Sequence, residues 1–122
     1  MQYNFKGTEL QITDELRDYT QKRLSHVDKL LVGDSTALCD VELEYSEAAE
    51  GKAGKFRAEF NCSCESNVYR AEQWGSTLHE AIDLAAGELT NELQRVKQKK
   101  LKVLRHSAVK VKEYLRGWRR KI

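Results

Sequence analysis

One stretch, Thr77 to Arg105, limits what this chain of 122 residues can become. Leu78, Ile82, Ala85, Leu89, Leu93 and Val96 recur at steps of four, three, four, four and three, which keeps them on one stripe of a helix with about 3.6 residues per turn. Arg95, Lys99 and Lys102 repeat at i, i+4 and i+7 on a flank of that stripe, and Lys97, Lys100 and Arg105 stand among them. A helix built this way is held by its first half and offers its second half to something negative.

A core helix needs a surface to cover, and the preceding sequence supplies one. Cys39, Val41, Leu43 and Tyr45 alternate with Asp40, Glu42, Glu44 and Ser46, the period-two pattern of a strand with one apolar and one wet face. The same alternation returns at Phe56, Ala58, Phe60, Cys62 and Cys64, and a third strand is predicted over Val68–Trp74 with Tyr69 and Ala71 inward. Ser46 to Gly54 has the composition of a mobile turn, and Ser66-Asn67 that of a tight one. Tyr3 and Phe5 mark a short strand ending at Gly7. Between it and Cys39, one helix is predicted, capped by Thr13 and closed near Leu31 by Gly33, with Leu16, Tyr19, Leu24, Val27, Leu30 and Leu31 on one face. Ser76 or Thr77 caps the long helix.

The expected fold class is therefore α+β: a single domain in the order β-α-β-β-β-α, with a four-stranded, mostly antiparallel sheet and two helices packed on one face. Residues 1–105 form this domain. Residues 106–122 form a basic extension in which Ala108, Val111, Leu115 and Trp118 keep helical spacing, an amphipathic helix that alone is marginal.

Net charge hides a division. The total of +2 combines 12 Lys/Arg and one acid, Glu113, from residue 95 onward with 9 Lys/Arg and 18 Asp/Glu before it. Twelve cations within 28 residues exceed what a helix C-terminus needs for its dipole, and such asymmetry points to a polyanionic partner. Arg17, Lys22, Arg23 and Lys29 decorate the first helix. Packed side by side, the two helices would present a basic platform flanking a groove, a shape suited to duplex RNA. On the first helix these cations are mixed with Asp14, Glu15, Asp18 and Asp28, which by itself reads as a solvated face. In the extension, Lys110, Lys112, Arg116, Arg119 and Arg120 add charge. Tyr114 and Trp118 have two readings, stacking on bases or packing on the domain.

Other chemistry finds little footing. Cys39, Cys62 and Cys64 are an odd count with no CxxC, which suits a reducing, cytosolic setting and core packing better than disulfides or, with His79, a zinc set. No metal or cofactor is expected. There is no phosphate-binding Gly-rich loop and no nucleophile elbow, and His26, His79 and His106 lie far apart. The outward acids of the strands read as solubility charges. No apolar run is long enough to span a membrane and the first residues hold no apolar leader, so neither a membrane nor a small-molecule substrate is expected as partner.

Two stretches together resemble a known family. Ile12-Thr13-Asp14-Glu15-Leu16-Arg17-Asp18-Tyr19, with Arg23-Leu24 and Val27 to Leu30, is similar to the first helix of the bacterial ribosome hibernation promoting factors and ribosome-associated translation inhibitors, also labelled sigma-factor modulators. Ala81-Ile82-Asp83-Leu84-Ala85, followed by Leu89, Leu93 and basic residues at 95, 97 and 99, resembles their second helix. The resemblance covers about residues 1 to 105. It implies a non-enzymatic protein that binds the decoding region of the small ribosomal subunit, where it excludes messenger and transfer RNA. It further implies ribosomal RNA contacts for Arg23, Arg95, Lys97 and Lys99. The expected interface takes in Arg17, Lys22, Arg23, Lys29, Arg95, Lys97, Lys99, Lys100, Lys102 and Arg105, with tail contacts from Lys110, Lys112, Arg116, Trp118, Arg119 and Arg120. His26 stands where a lysine is common, and Glu88 and Asn91 replace positions that are often basic. A general double-stranded RNA-binding protein is the alternative.

Overall fold

The computed structural model describes residues 1–31, 36–47, 55–64 and 67–120, the side chains of 109–111 and 113–120 excepted. Along the chain come β1 (Gln2–Thr8), α1 (Asp14–Arg23), α2 (Ser25–Leu30), β2 (Leu38–Tyr45), β3 (Phe56–Cys64), β4 (Asn67–Gly75) and α3 (Leu78–Arg120). The strands form one sheet in the order β1-β2-β3-β4. β1 runs parallel to β2, while β2–β3 and β3–β4 are antiparallel. A parallel neighbour requires a crossover connection, and α1 and α2 supply it.

The period-two pattern sorts the two faces as expected. Cys39, Val41, Leu43, Ala58, Phe60, Cys62 and Ala71 point inward and are at most 1% exposed, and the helices cover them with Leu24, Val27, Ala81, Ile82, Ala85 and Leu89, all at 0%. Thr20, which the apolar pattern passes over, is also fully buried. Its hydroxyl donates to the Leu16 carbonyl at 2.7 Å, so it packs as an apolar filler with its polar atom satisfied.

Three boundaries differ from the sequence reading. The helix expected from Thr13 to Leu31 breaks at Leu24, where φ is −87° and ψ is 7°. Helical hydrogen bonds continue on both sides, Leu24 N–H to the Thr20 carbonyl at 2.9 Å and Asp28 N–H to the Leu24 carbonyl at 3.0 Å. The slight turn leaves both Leu24 and Val27 wholly inside the core. The first strand runs on through Gly7 to Thr8, and the chain turns at Glu9, whose φ is 58°. Finally, α3 continues past Arg105 to Arg120 without interruption, although every described side chain from Lys97 to Ala108 is exposed. Extending a helix already anchored in a core avoids the nucleation step that makes isolated helices marginal, and no Gly or Pro stands between Glu88 and Arg116 to stop it. The expected closure by Gly33, the turn at Ser66 and most of the loop from Ser46 to Gly54 lie outside the described residues.

α3 starts where it does because of a cap and a close approach. Thr77 is the cap: its hydroxyl accepts the Glu80 N–H at 3.1 Å, and the Glu80 carboxylate accepts the Ser76 hydroxyl at 2.6 Å. At Gly75, a Cβ atom would stand 2.7 Å from the Ala81 nitrogen and 3.0 Å from the Thr77 carbonyl oxygen. Both are backbone atoms, so the first turn of α3 would have to move. Gly75→Ala is expected to lower unfolding stability by about 1–3 kcal/mol in a urea titration. An unchanged midpoint would show that β4 and α3 are not locked at this point.

Candidate nucleic-acid interface

The first half of α3 lies on β3 and β4, and among its described side chains the last buried one is Leu93. Val96 is half-buried, and beyond it the helix leaves the sheet. Arg95, Lys97, Lys99, Lys100, Lys102 and Arg105 therefore gather on a segment that touches little of its own protein. They do not share one face. At about 100° per residue, Arg95, Lys99, Lys102 and His106 form a stripe, whereas Lys97 is turned about 200° from Arg95. Lys97 and Lys100 fall instead in line with the core stripe, which continues off the sheet through Val103 and Leu104, each 65% exposed. Lys112 is exposed as well. Lys110, Arg116, Trp118, Arg119 and Arg120 fall on the helical backbone, and their side chains lie outside the described residues.

Where α1 meets α3, the expected platform is less basic. The Asp83 carboxylate accepts the Tyr19 hydroxyl at 2.6 Å and pairs with the Arg23 guanidinium at 2.7 Å. The hydrogen bond to Asp83, followed by burial, pushes the Tyr19 phenol up. Arg23 stays 46% exposed but carries a counter-charge. Arg17 sits 5.8 Å from the centre of the Phe5 ring, a cation–π placement that fixes it beside β1. Lys22 and Lys29 are exposed. An open groove of about 770 Å³ is lined by Gln73, Asp83, Leu84, Gly87, Glu88, Asn91 and Arg95. Glu88 is engaged by Gln73, and Arg95 by Glu92 one turn earlier. Asp83 and Glu88 thus line a groove that runs along α3 beside Gln73 of β4, and Lys97, Lys99, Lys100, Lys102 and Arg105 lie further along α3.

The sheet face away from the helices holds a charge network that sequence reading passed over. Arg57 lies at its centre, its side chain 11% exposed, within 2.7 Å of Glu42, 2.6 Å of Glu44 and 2.5 Å of Glu59. Burial works against the Arg57 charge, yet hydrogen bonds to Glu44 and Glu59 hold its pKa above the ordinary value. Burial likewise opposes ionisation of Glu59, but hydrogen bonds from Asn61 and Arg57 keep its carboxyl below the usual range. Arg70 adds a second cation 3.4 Å from Glu59. These acids are structural partners rather than free surface charges. Their signal was an arginine inside an acidic alternation, legible only once the register is known.

Among the described residues, no three His, Cys, Asp or Glu side chains gather as a metal site. His79 packs edge-on against Tyr19 with ring centres 4.4 Å apart. Cys39 and Cys62 are buried and Cys64 is half-buried. No described helix is long and apolar enough to cross a membrane.

A family model described as sigma 54 modulation protein / S30EA ribosomal protein matches residues 3–101. The chain belongs to this family. Within the S30EA family, the ribosome hibernation promotion factor of Picosynechococcus sp. is 25% identical over 115 residues. That alignment covers 94% of this chain and 58% of the relative, so the chain spans little more than half the relative's length. The N-terminal domain of Thermus thermophilus Protein Y superposes with a TM-score of 0.65 at 29% identity, covering 79% of this chain and 99% of that one. A ribosomal subunit interface protein from Coxiella burnetii shares the fold, with a TM-score of 0.64 at 18% identity and coverage of 80% and 99%. The family match ends at residue 101, within α3.

Proposed function

We propose that this protein is a ribosome-associated inhibitor of translation that acts by binding and not by catalysis. Its basic helices contact ribosomal RNA in the decoding region of the small subunit, exclude messenger and transfer RNA, and keep ribosomes idle in the cytoplasm. The observation that carries this reading is the overhang of α3, a helix clear of its own sheet with Arg95, Lys97, Lys99, Lys100, Lys102 and Arg105 exposed along it. Family membership and the name of the Picosynechococcus relative support a ribosomal polyanion as the partner. Shape and phosphate contact, not base reading, suit a rigid cationic helix against folded RNA.

Cosedimentation with purified small subunits tests it. Displacing counterions from about six phosphates makes affinity fall roughly a thousandfold between 50 and 200 mM salt. Binding is expected to persist in a mass excess of arbitrary duplex RNA. If any duplex of similar length competes equally, the protein is a general double-stranded RNA binder, and the decoding-region assignment fails.

A further inference from the structure

Cys39 and Cys62 stand outside everything assigned so far. They occupy directly opposed positions on the antiparallel strands β2 and β3, both are 0% exposed, and both are free thiols. The Cys62 thiol donates to the Cys39 sulfur at 2.9 Å, so the two side chains already face each other. Directly opposed residues on antiparallel strands have Cα atoms roughly 4.5–5.5 Å apart. That separation falls inside the roughly 4.4–6.8 Å that a disulfide spans. The register and the facing sulfurs are thus compatible with a bridge between the two strands.

We propose that Cys39 and Cys62 form a redox site that a small peroxide converts into a disulfide stapling β2 to β3. In the first step one thiol takes an oxygen atom from hydrogen peroxide: the O–O bond breaks, a sulfenic acid forms and one water leaves. The opposed thiol then displaces that oxygen as a second water, forming the S–S bond. Two thiols and one peroxide give one disulfide and two waters, and the protein loses two hydrogens.

The surroundings set the pace and the selectivity. The facing Cys62 thiol, together with burial, holds the Cys39 thiol well above its ordinary pKa, which slows oxidation at that sulfur. Tyr3 on β1 stands beside Cys39 and Tyr69 on β4 beside Cys62 in the sheet register, and both cysteines belong to the buried core cluster with Val41, Phe60 and Ala71; Asp40, next in the chain, raises the Cys39 pKa further. Access requires a peroxide-sized reagent or a transient opening of the sheet. Once formed, the staple closes the segment between residues 39 and 62 into a loop and restricts the unfolded chain, which stabilises the fold.

The test uses the full chain, incubated with hydrogen peroxide and then alkylated. Before alkylation the intact mass is expected to drop by about 2 Da, after it Cys39 and Cys62 should carry no alkyl group, and peptide mapping without reductant should join their peptides. The melting midpoint should rise by several degrees and return on addition of dithiothreitol. Cys64→Ala is expected to keep both changes, and Cys39→Ala and Cys62→Ala to lose both. A bridge involving Cys64, stable sulfinic acid at either core cysteine, or an unchanged mass in protein opened by mild urea would overturn the proposal. Because neither readout involves ribosomes, the outcome is independent of the function proposed above.

Discussion

Reversing Arg95, Lys99 and Lys102 to glutamate together is expected to weaken binding to the small subunit by at least about a hundredfold. The three side chains share one stripe of α3, and all three are exposed, so the change leaves the core untouched and the melting midpoint within a degree or two. With three fewer phosphates neutralised, the salt dependence should also flatten, the slope of log affinity against log salt falling by roughly 0.9 for each of them. Reversal of Lys97 and Lys100 is the informative companion. These two face the direction of the core stripe, away from Arg95, and an effect confined to one of the two variants would show on which side of α3 the RNA lies. Equal, small losses from both variants would remove the overhang from the interface and leave α1 to account for binding.

The largest effect on stability is expected at Arg57. Replacing it with methionine keeps much of the volume but leaves Glu42, Glu44 and Glu59 facing one another without a cation. Breaking a mostly buried ionic network from one side costs about 2–3 kcal/mol at neutral pH. The pH dependence separates this cause from simple loss of packing. In the unaltered protein, hydrogen bonds from Asn61 and Arg57 hold Glu59 below its ordinary pKa in spite of burial. Its contribution is complete above the unfolded value of about 4.3 and is lost as pH falls through the lower folded value. In Arg57→Met the crowded carboxylates gain by protonation, so stability should rise as pH is lowered from neutrality toward about 4. Chemical denaturation across this range should therefore give different pH dependences for the two proteins. Parallel curves would mean that Arg57 acts through packing alone.

What the sequence made legible follows from how far each signal reaches. The alternations at Cys39-Val41-Leu43 and Ala58-Phe60-Cys62, and the stripe from Leu78 to Leu93, are local patterns, and each appears in the fold as the face it predicted. The parallel pairing of β1 with β2 is not local: Tyr3 and Phe5 announce a strand but not its neighbour. Register is likewise silent. Only when Glu42 is set opposite Glu59, and Glu44 opposite Arg57, does the outer face become a network rather than a row of solubilising charges. At the candidate interface, composition located the cations on α3. It did not reveal that Asp83 engages both Tyr19 and Arg23, because those partners lie far away along the chain and meet only through packing. The break at Leu24 escaped for the opposite reason, since the apolar spacing runs through it unchanged.

The overhang of α3 has a mechanical consequence. From Lys97 to Arg120 it measures about 36 Å at 1.5 Å per residue, and its direction is set where Ile82, Ala85 and Leu89 seat against the sheet. The far end lies about 46 Å beyond Leu89, so a tilt of about 5° at that seat swings it by about 4 Å, more than the length of one hydrogen bond. A core substitution can thus misaim the arm without unfolding it, and in the function proposed here interior residues such as Ile82 serve as its pivot.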